Sequence, residues 1–224
     1  SFLVKSDNYL RFNGGVPVTN TSKLGIDFTG SWLSDSYYHT NAFTRQDTSD
    51  ITRFDNFSVG MIYEKNTITS KAYPSAGEHF LASLRYVGGT EKYTPGSTSL
   101  RPEADTDRHR WIQLHLKYEN YFMTLGDVIF GVYGEGMLSN RELFSNYTAS
   151  VVSAPGFSPV PQSNLLFIPE YRANIWSGLG IRSVWTVFNP VDLTMNLFSF
   201  FPYQEFLKLV AEQALDISIL RDVN

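Results

Sequence analysis

The sequence Trp111–Phe122, WIQLHLKYENYF, decides the fold class, because apolar and polar residues alternate along it. Its even positions include Ile112, Leu114 and Leu116, whereas the odd positions from 113 to 119 carry polar side chains. Successive side chains of a β-strand point to opposite faces, so this alternation predicts a strand with one apolar face and one polar face.

The same alternation recurs along the chain, in stretches longer than the strands of most soluble domains. Glycines inside several stretches are typical of curved sheets. Together the stretches predict an all-β, antiparallel fold with about eight strands. The stretches are Tyr9–Val18, Lys23–Trp32, Phe57–Tyr63, His79–Tyr86, Trp111–Phe122, Val128–Leu138, Tyr171–Arg182 and Asp192–Phe201.

Composition excludes several classes of protein. No stretch approaches the roughly 18 apolar residues of a membrane-spanning helix, and mean hydropathy is −0.18. A transmembrane β-barrel fits that value, because lipid-facing residues alternate with polar ones. A net charge of −4 with no basic run argues against nucleic acid as a partner. There is no cysteine, and the histidines are not spaced as metal ligands, so we predict neither a metal nor another cofactor.

The predicted connections alternate in length. Tight turns fall near Asn20, at 124–127 and at 189–190, and a Pro74–Gly77 turn joins the third and fourth strands. Long polar loops lie between them, at about 34–52, 93–107 and 140–170. Outer-membrane barrels sort their connections in this way, with short periplasmic turns and long extracellular loops. We therefore predict a transmembrane β-barrel in the bacterial outer membrane; a soluble all-β domain is the alternative.

Two parts of the chain are distinguished. Residues 1–203 form the predicted barrel segment. From Gln204 the apolar residues, among them Phe206, Leu207 and Val210, fall at helical spacing. Residues 204–224 are therefore either a short amphipathic helix or a truncated end.

Two sets of candidate functional residues follow from the strand pattern. Charged residues on polar strand faces are predicted to line the barrel lumen, either as paired charges that fill it or along a substrate path. They are Asp27, Arg85, His115, Lys117, Glu119, Glu135, Arg172 and Arg182. Aromatic residues near strand ends are predicted to lie at the membrane interface. They are Trp32, Tyr93, Trp111, Tyr171 and Trp185.

Several short motifs suggest a family. Tyr63–Thr67 followed by Tyr73–Leu81 resembles the strand, Pro-x-x-Gly turn, strand pattern of the bacterial surface antigen superfamily of outer-membrane barrels. Over roughly Tyr9–Gln204 the chain resembles the C-terminal barrel of patatin-like phospholipases of Gram-negative bacteria. The motifs behind this second resemblance are Leu84–Val87, Glu91–Ser99, Leu143–Ala149, Ala154–Pro159 and Tyr171–Asn174.

The resemblance implies a sixteen-stranded barrel, of which about half is visible here. Such a barrel anchors a patatin-like lipid hydrolase domain, fused on the N-terminal side and outside this chain, and offers it a route for export. The expected partners are outer-membrane lipid and that hydrolase domain. The alternative function is an assembly, translocation or ligand-binding barrel of the same superfamily.

Two departures from the family patterns bear on activity. The Val-Arg-Gly-Phe lumen motif of the superfamily's assembly factors is missing, because the sequence has no Arg-Gly pair. There is also no Gly-x-Ser-x-Gly elbow and no Asp-Gly-Gly or Asp-Gly-Ala triplet, which a patatin active site requires. We therefore assign no catalytic residue and expect no enzyme in this segment; an enzyme within the barrel itself is the remaining alternative.

Overall fold

The computed structural model shows one antiparallel sheet of eight strands, each paired with its neighbours in sequence. The structure describes residues 3–38, 42–69, 76–99, 102–145, 147–160, 163, 167–188, 191–207 and 217–220. The strands are β1 (Leu3–Thr19), β2 (Ser22–Tyr37), β3 (Asp50–Asn66), β4 (Gly77–Thr94), β5 (Asp105–Leu125), β6 (Val128–Ser139), β7 (Trp176–Phe188) and β8 (Val191–Pro202). The predicted all-β antiparallel fold is confirmed.

The register of the sheet follows from the alternating pattern. Phe12, Phe28, Val59, Tyr86 and Ile112 are successive cross-strand partners from β1 to β5. The row is apolar throughout, and a slip of one residue in any strand would move all the apolar side chains of that strand to the opposite face. The pairing therefore collects the apolar residues on one face of the sheet, called the apolar face below, and the polar residues on the other, the polar face.

The connections are sorted by length between the two ends of the sheet. Residues 20–21 and 126–127 make the tight turns at one end, with Gly126 at a φ of 60° in the left-handed region. The β3–β4 hairpin at that end continues through hydrogen bonds such as Thr67 N to Glu78 O; most of the predicted Pro74–Gly77 turn lies outside the described residues. The other end carries the longer connections 38–49, 95–104 and 140–175.

The sheet is not closed in the part of the chain that the structure describes, since β1 pairs only with β2 and β8 only with β7. No helix among the described residues is long and apolar enough to cross a membrane.

The segment 140–175 differs from a simple external loop. It contains a short helix, α1 (Tyr147–Ser153), and a 3-10 turn at Pro169–Tyr171, and it folds onto the polar face of the sheet. Phe144 and Ala149 pack in one cluster with strand residues that include Phe54 and Trp111. A second cluster joins Phe157 and Ala173 to the strand residues Tyr133, Met137 and Trp176.

One predicted strand is wrong at its start, and the first residues of the predicted C-terminal helix form a strand. The strand expected over Tyr171–Arg182 begins at Trp176, because the preceding residues belong to the inserted segment 140–175. The helix expected from Gln204 is not formed by Gln204–Leu207, which is strand β9 and pairs with β10 (Ile217–Leu220). The β-branched Ile217 and Ile219 favour that pairing over a helix. Residues 208–216 lie outside the described residues.

Candidate functional site

The apolar face is exposed along all eight strands. Phe28 is 54% exposed, Ile112 51% and Leu197 70%. The apolar run on β5 lies between Arg110 and Asn120, about the nine to eleven residues with which a strand crosses a membrane. This face is bare, whereas the inserted segment covers part of the polar face.

Ion pairs border the apolar face at both ends. Lys65 Nζ lies 3.1 Å from Glu78 Oε2 at the end with the short turns. Lys92 Nζ lies 3.9 Å from Asp55 Oδ2 at the end with the long connections. Charged side chains at the two borders of an apolar band are favourable where the band ends in water.

The polar face carries seven of the eight predicted lumen charges, in separate clusters. In the first, Arg85 binds Asp27 through both terminal nitrogens, at 2.9 Å each, and also donates to Ser58 Oγ at 3.0 Å. Asp27 is only 2% exposed. Gly60 lies opposite both residues, and a Cβ at this glycine would stand 2.3 Å from Asp27 Oδ1. The missing side chain of Gly60 therefore makes room for the buried pair.

The second cluster ties the inserted segment to the sheet. Arg182 Nη1 lies 2.8 Å from Glu119 Oε1, and the hydroxyl of Tyr121 donates to the same oxygen at 3.0 Å. Arg182 Nη2 donates to the carbonyl of Pro159, in the inserted segment, at 2.7 Å. A buried guanidinium bonded to both a carboxylate and a carbonyl holds the segment against β7.

The third cluster surrounds Glu135. His115 Nε2 lies 2.7 Å from Glu135 Oε1, and the hydroxyl of Tyr133 donates to Glu135 Oε2 at 2.6 Å. Lys117 Nζ lies 5.3 Å from the centre of the Tyr133 ring. Arg182 also approaches that ring, at 4.9 Å, so Tyr133 lies between the second and third clusters. The arrangement pairs His115 with an acid but places no nucleophile in hydrogen-bond contact with it among the described residues.

Arg172, the eighth predicted lumen charge, does not come from a strand. It follows the 3-10 turn, and its Nη1 donates to the carbonyls of Val152 and Ala154 at 3.2 and 2.7 Å. These carbonyls lie at the C-terminal end of α1, where a cation is favourable. Burial lowers the pKa of Arg172, while the attraction of Asp35 acts in the opposite direction. The prediction of a strand position for Arg172 is wrong, although its side chain lines a cavity on the polar face.

Sequence reasoning missed Arg141, which the structure places between the sheet and α1. Its guanidinium lies 4.6 Å from the Trp111 ring and 4.3 Å from the Phe144 ring, and it donates to the carbonyl of Ser153. Burial lowers the pKa of Arg141 to about 10. Arg141 follows β6 inside the predicted loop 140–170, where no periodic pattern marks it.

Sequence reasoning also missed Glu91 and His109, which are paired on the polar face. Glu91 is fully buried, its Oε2 lies 2.7 Å from His109 Nε2, and both carboxylate oxygens accept the Ser145 N–H, at 3.0 and 3.2 Å. The pair therefore fixes the start of the inserted segment on β4 and β5. The alternating pattern extends to both residues, and extending the predicted strands toward the loops would have found them.

Three of the predicted interface aromatics do not lie on the apolar face. Tyr93, 1% exposed, and Trp111, 6% exposed, point to the polar face, where the inserted segment or the neighbouring loops cover them. Tyr171 belongs to the 3-10 turn and contacts Phe200. The prediction is wrong for the buried Tyr93 and Trp111, because nearness to a strand end does not decide the face, whereas the half-exposed Tyr171 stays a prediction. Trp32 and Trp185 are exposed on the apolar face and stay candidates.

The two shorter connections at the long-loop end are joined to each other. Asp47 accepts hydrogen bonds from Thr44 N, Thr44 Oγ1 and Ser97 Oγ, at 2.7, 2.9 and 2.9 Å. These bonds, led by the backbone N–H of Thr44, lower the pKa of Asp47. Ser97 N also donates to the Thr48 carbonyl at 3.1 Å. These hydrogen bonds hold the 38–49 and 95–104 connections together.

In the described part of the chain, no three His, Asp or Glu residues are grouped so that they could hold a metal ion. No model of a known protein family matches the sequence, and no curated protein matches it.

Proposed function

We propose that this chain forms the wall of a β-barrel that spans the bacterial outer membrane and anchors a patatin-like hydrolase domain lying outside the chain. The apolar face meets lipid in this arrangement. The polar face lines the lumen, and the inserted segment 140–175 fills part of it.

One observation carries the membrane assignment: the apolar face is bare, whereas the inserted segment packs on the polar face. A soluble domain buries its apolar face against another layer of the same fold, and exposed apolar patches above a few hundred Å² are rare on soluble monomers. Here the inserted segment packs on the polar face, and apolar residues such as Phe28, Val59 and Ile112 remain uncovered. A lipid bilayer is the environment that stabilises a sheet with an uncovered apolar face.

The free edges of β1 and β8 agree with a larger barrel. An unpaired strand edge in lipid leaves N–H and C=O groups without partners, which is costly. In the membrane both edges must therefore be paired, with further strands or with each other. The sixteen strands implied by the resemblance to patatin-like phospholipase barrels would supply such partners.

The anchoring role rests on the resemblance and on the chemistry of the polar face. The His115 and Glu135 pair has no serine or threonine hydroxyl in hydrogen-bond contact with His115 within the described residues, and the charged side chains bond to one another or to the inserted segment. Such clusters support a structural wall, with hydrolysis assigned to a separate domain. The alternative of a ligand-binding barrel is supported by a cavity between the polar face and the inserted segment.

The four tryptophans test the membrane assignment directly, because Trp32 and Trp185 are exposed on the apolar face while Trp111 and Trp176 are buried on the other. Four variants, each keeping one tryptophan and replacing the others with Phe, would be folded into vesicles with and without brominated lipid chains. We expect bromine to quench Trp32 and Trp185 strongly and the matched controls Trp111 and Trp176 weakly. Equal quenching at all four positions, or none, would show that the apolar face does not meet lipid.

The anchor is tested separately. A soluble reporter enzyme fused ahead of Ser1 should fractionate with outer membranes, and its release into the soluble fraction should rise when Leu114→Arg is introduced. A reporter that stays soluble with the unmodified chain, despite tryptophan quenching of that chain in vesicles, would contradict the anchor and leave the membrane wall intact.

A further inference from the structure

A cavity of about 410 Å³ lies between the polar face and the inserted segment. Strands β1 to β5 form one side, and residues of 140–175, including Arg141 and Arg172, form the other. Its size is within the roughly 300–1,000 Å³ of small-molecule sites. Apolar side chains such as Leu33 and Phe54 meet hydroxyl and amide groups of Ser31 and Asn56 on its wall, so the cavity offers both kinds of surface.

Basic groups outnumber acidic ones on the wall, but not all of them are available. Arg85 is paired with Asp27, and Arg141 is held between two aromatic rings. Arg172 is different: its hydrogen bonds run from Nη1 to backbone carbonyls, and no carboxylate lies within 4.0 Å of it among the described residues. Lys5 likewise makes no ion pair with the described part of the chain. Two cations therefore border the cavity without an anionic partner.

Asp35 is the acidic residue on the cavity wall that complements these two cations. It is 9% exposed, lines the cavity, and its Oδ1 has no hydrogen-bond partner among the described residues. A buried carboxylate oxygen without a donor is unfavourable. Lys5 is the cross-strand partner of Asp35, and Asp35 and Arg172 attract each other. Opposite charges thus face one another without direct contact.

We propose that this cavity binds a small zwitterion, whose ammonium group donates to Asp35 and whose phosphate or carboxylate is held by Arg172 and Lys5. A ligand with both groups satisfies the open acceptor and the unpaired cations together. A simple anion would leave Asp35 without a donor. Aminoalkyl phosphates and amino acids share this chemistry, and they differ in whether the anion is a phosphate or a carboxylate.

Calorimetric titration of the full chain folded in detergent micelles tests the proposal, with O-phosphoethanolamine, glycine and phosphocholine as probes. We expect saturable binding of one equivalent of O-phosphoethanolamine or of glycine, and the tighter of the two identifies the anion. Phosphocholine carries the same charges as O-phosphoethanolamine, but its quaternary ammonium has no N–H. It should bind at least about tenfold more weakly than O-phosphoethanolamine, since a hydrogen bond to a charged group is lost.

Two substitutions with a matched control locate the site. Asp35→Asn should weaken binding of the preferred probe at least about tenfold, whereas Asp55→Asn, an acidic position on the apolar face, should leave it unchanged. Heat-dependent mobility on gels would show whether each variant is folded. If Asp35→Asn does not fold, Lys5→Gln serves instead, because Lys5 lies on the exposed strand β1. It should weaken binding several-fold.

The proposal is overturned if neither O-phosphoethanolamine nor glycine binds saturably to the unmodified chain. It is also overturned if phosphocholine binds as tightly as O-phosphoethanolamine, or if a folded Asp35→Asn variant binds like the unmodified chain. The cavity lies on the polar face, so these results are independent of tryptophan quenching by lipid. Either idea can fail while the other stands.

Discussion

The substitution Gly60→Ala tests whether the buried pair of Asp27 and Arg85 stabilises the sheet. The added Cβ would lie 2.3 Å from Asp27 Oδ1 and 3.3 Å from Arg85 Nη2. Gly60 has no left-handed backbone angle, so alanine fits the strand itself and the clash falls on the pair. Asp27 must move by about 1 Å to restore ordinary contact, which disrupts two charged hydrogen bonds of 2.9 Å.

The magnitude follows from those bonds. Breaking a buried ion pair by removing one partner costs about 3–5 kcal/mol, and here both partners remain but are displaced. Replacing a strand glycine with alanine by itself stabilises by roughly 0.5–1 kcal/mol. We therefore expect Gly60→Ala to lower the free energy of unfolding by about 2–4 kcal/mol.

The assay is urea unfolding of the protein folded in vesicles, followed by tryptophan fluorescence. Gly134→Ala is the matched control: it lies in the interior strand β6 on the apolar face, and its Cβ would meet Leu179 Cδ2 at 3.9 Å, an ordinary contact. It should be neutral or slightly stabilising. In an Asp27→Ala background Gly60→Ala should cost little more, because the clashing carboxylate is gone. Unchanged stability of Gly60→Ala, or additive losses in the double variant, would refute the reasoning.

Three further predictions concern the faces, the inserted segment and the loops. Leu114→Arg places a charge on the apolar face and should cost roughly 2–4 kcal/mol in vesicles, whereas Gln113→Arg on the polar face should be mild; equal losses would contradict the assignment of the faces. Arg141→Leu removes the contacts to two rings and a carbonyl, so limited proteolysis should cut within 140–175 while the sheet stays protected, and an unchanged cleavage pattern would argue against this anchor. The lowered pKa of Asp47 means that its loop contact is complete above the ordinary carboxyl pKa and is lost only as pH falls through the lowered value; an NMR titration of this carboxyl with a midpoint at or above about 4 would disprove it.

Much of the fold could be predicted from the sequence because strand periodicity is local. The alternation along Trp111–Phe122 defines which residues of β5 share a face, and the same holds for β2 to β4. Tight turns then restrict the register of neighbouring strands. Seven predicted lumen charges could therefore be placed on one face without knowing which residues they contact.

At the loop end of the sheet, alternation assigns each residue to a face but does not show what covers that face. Tyr93 and Trp111 were predicted at a membrane interface from their nearness to strand ends, yet both are buried on the polar face. The odd or even position of each residue along its strand decides which face it lies on. The neighbouring loops and the inserted segment decide whether it is buried. A loop has no period, so its path cannot be deduced from the spacing of its apolar residues.

By itself, the sequence determined the strand content, the division into an apolar and a polar face, and the sorting of short and long connections. Only the tertiary structure decided which polar groups meet. Asp27 contacts Arg85 from a strand 58 residues away, and Arg172 reaches the cavity from the inserted segment. These contacts depend on the stagger accumulated over several strands and on side-chain packing against the folded-in loop, neither of which is a local property of the chain.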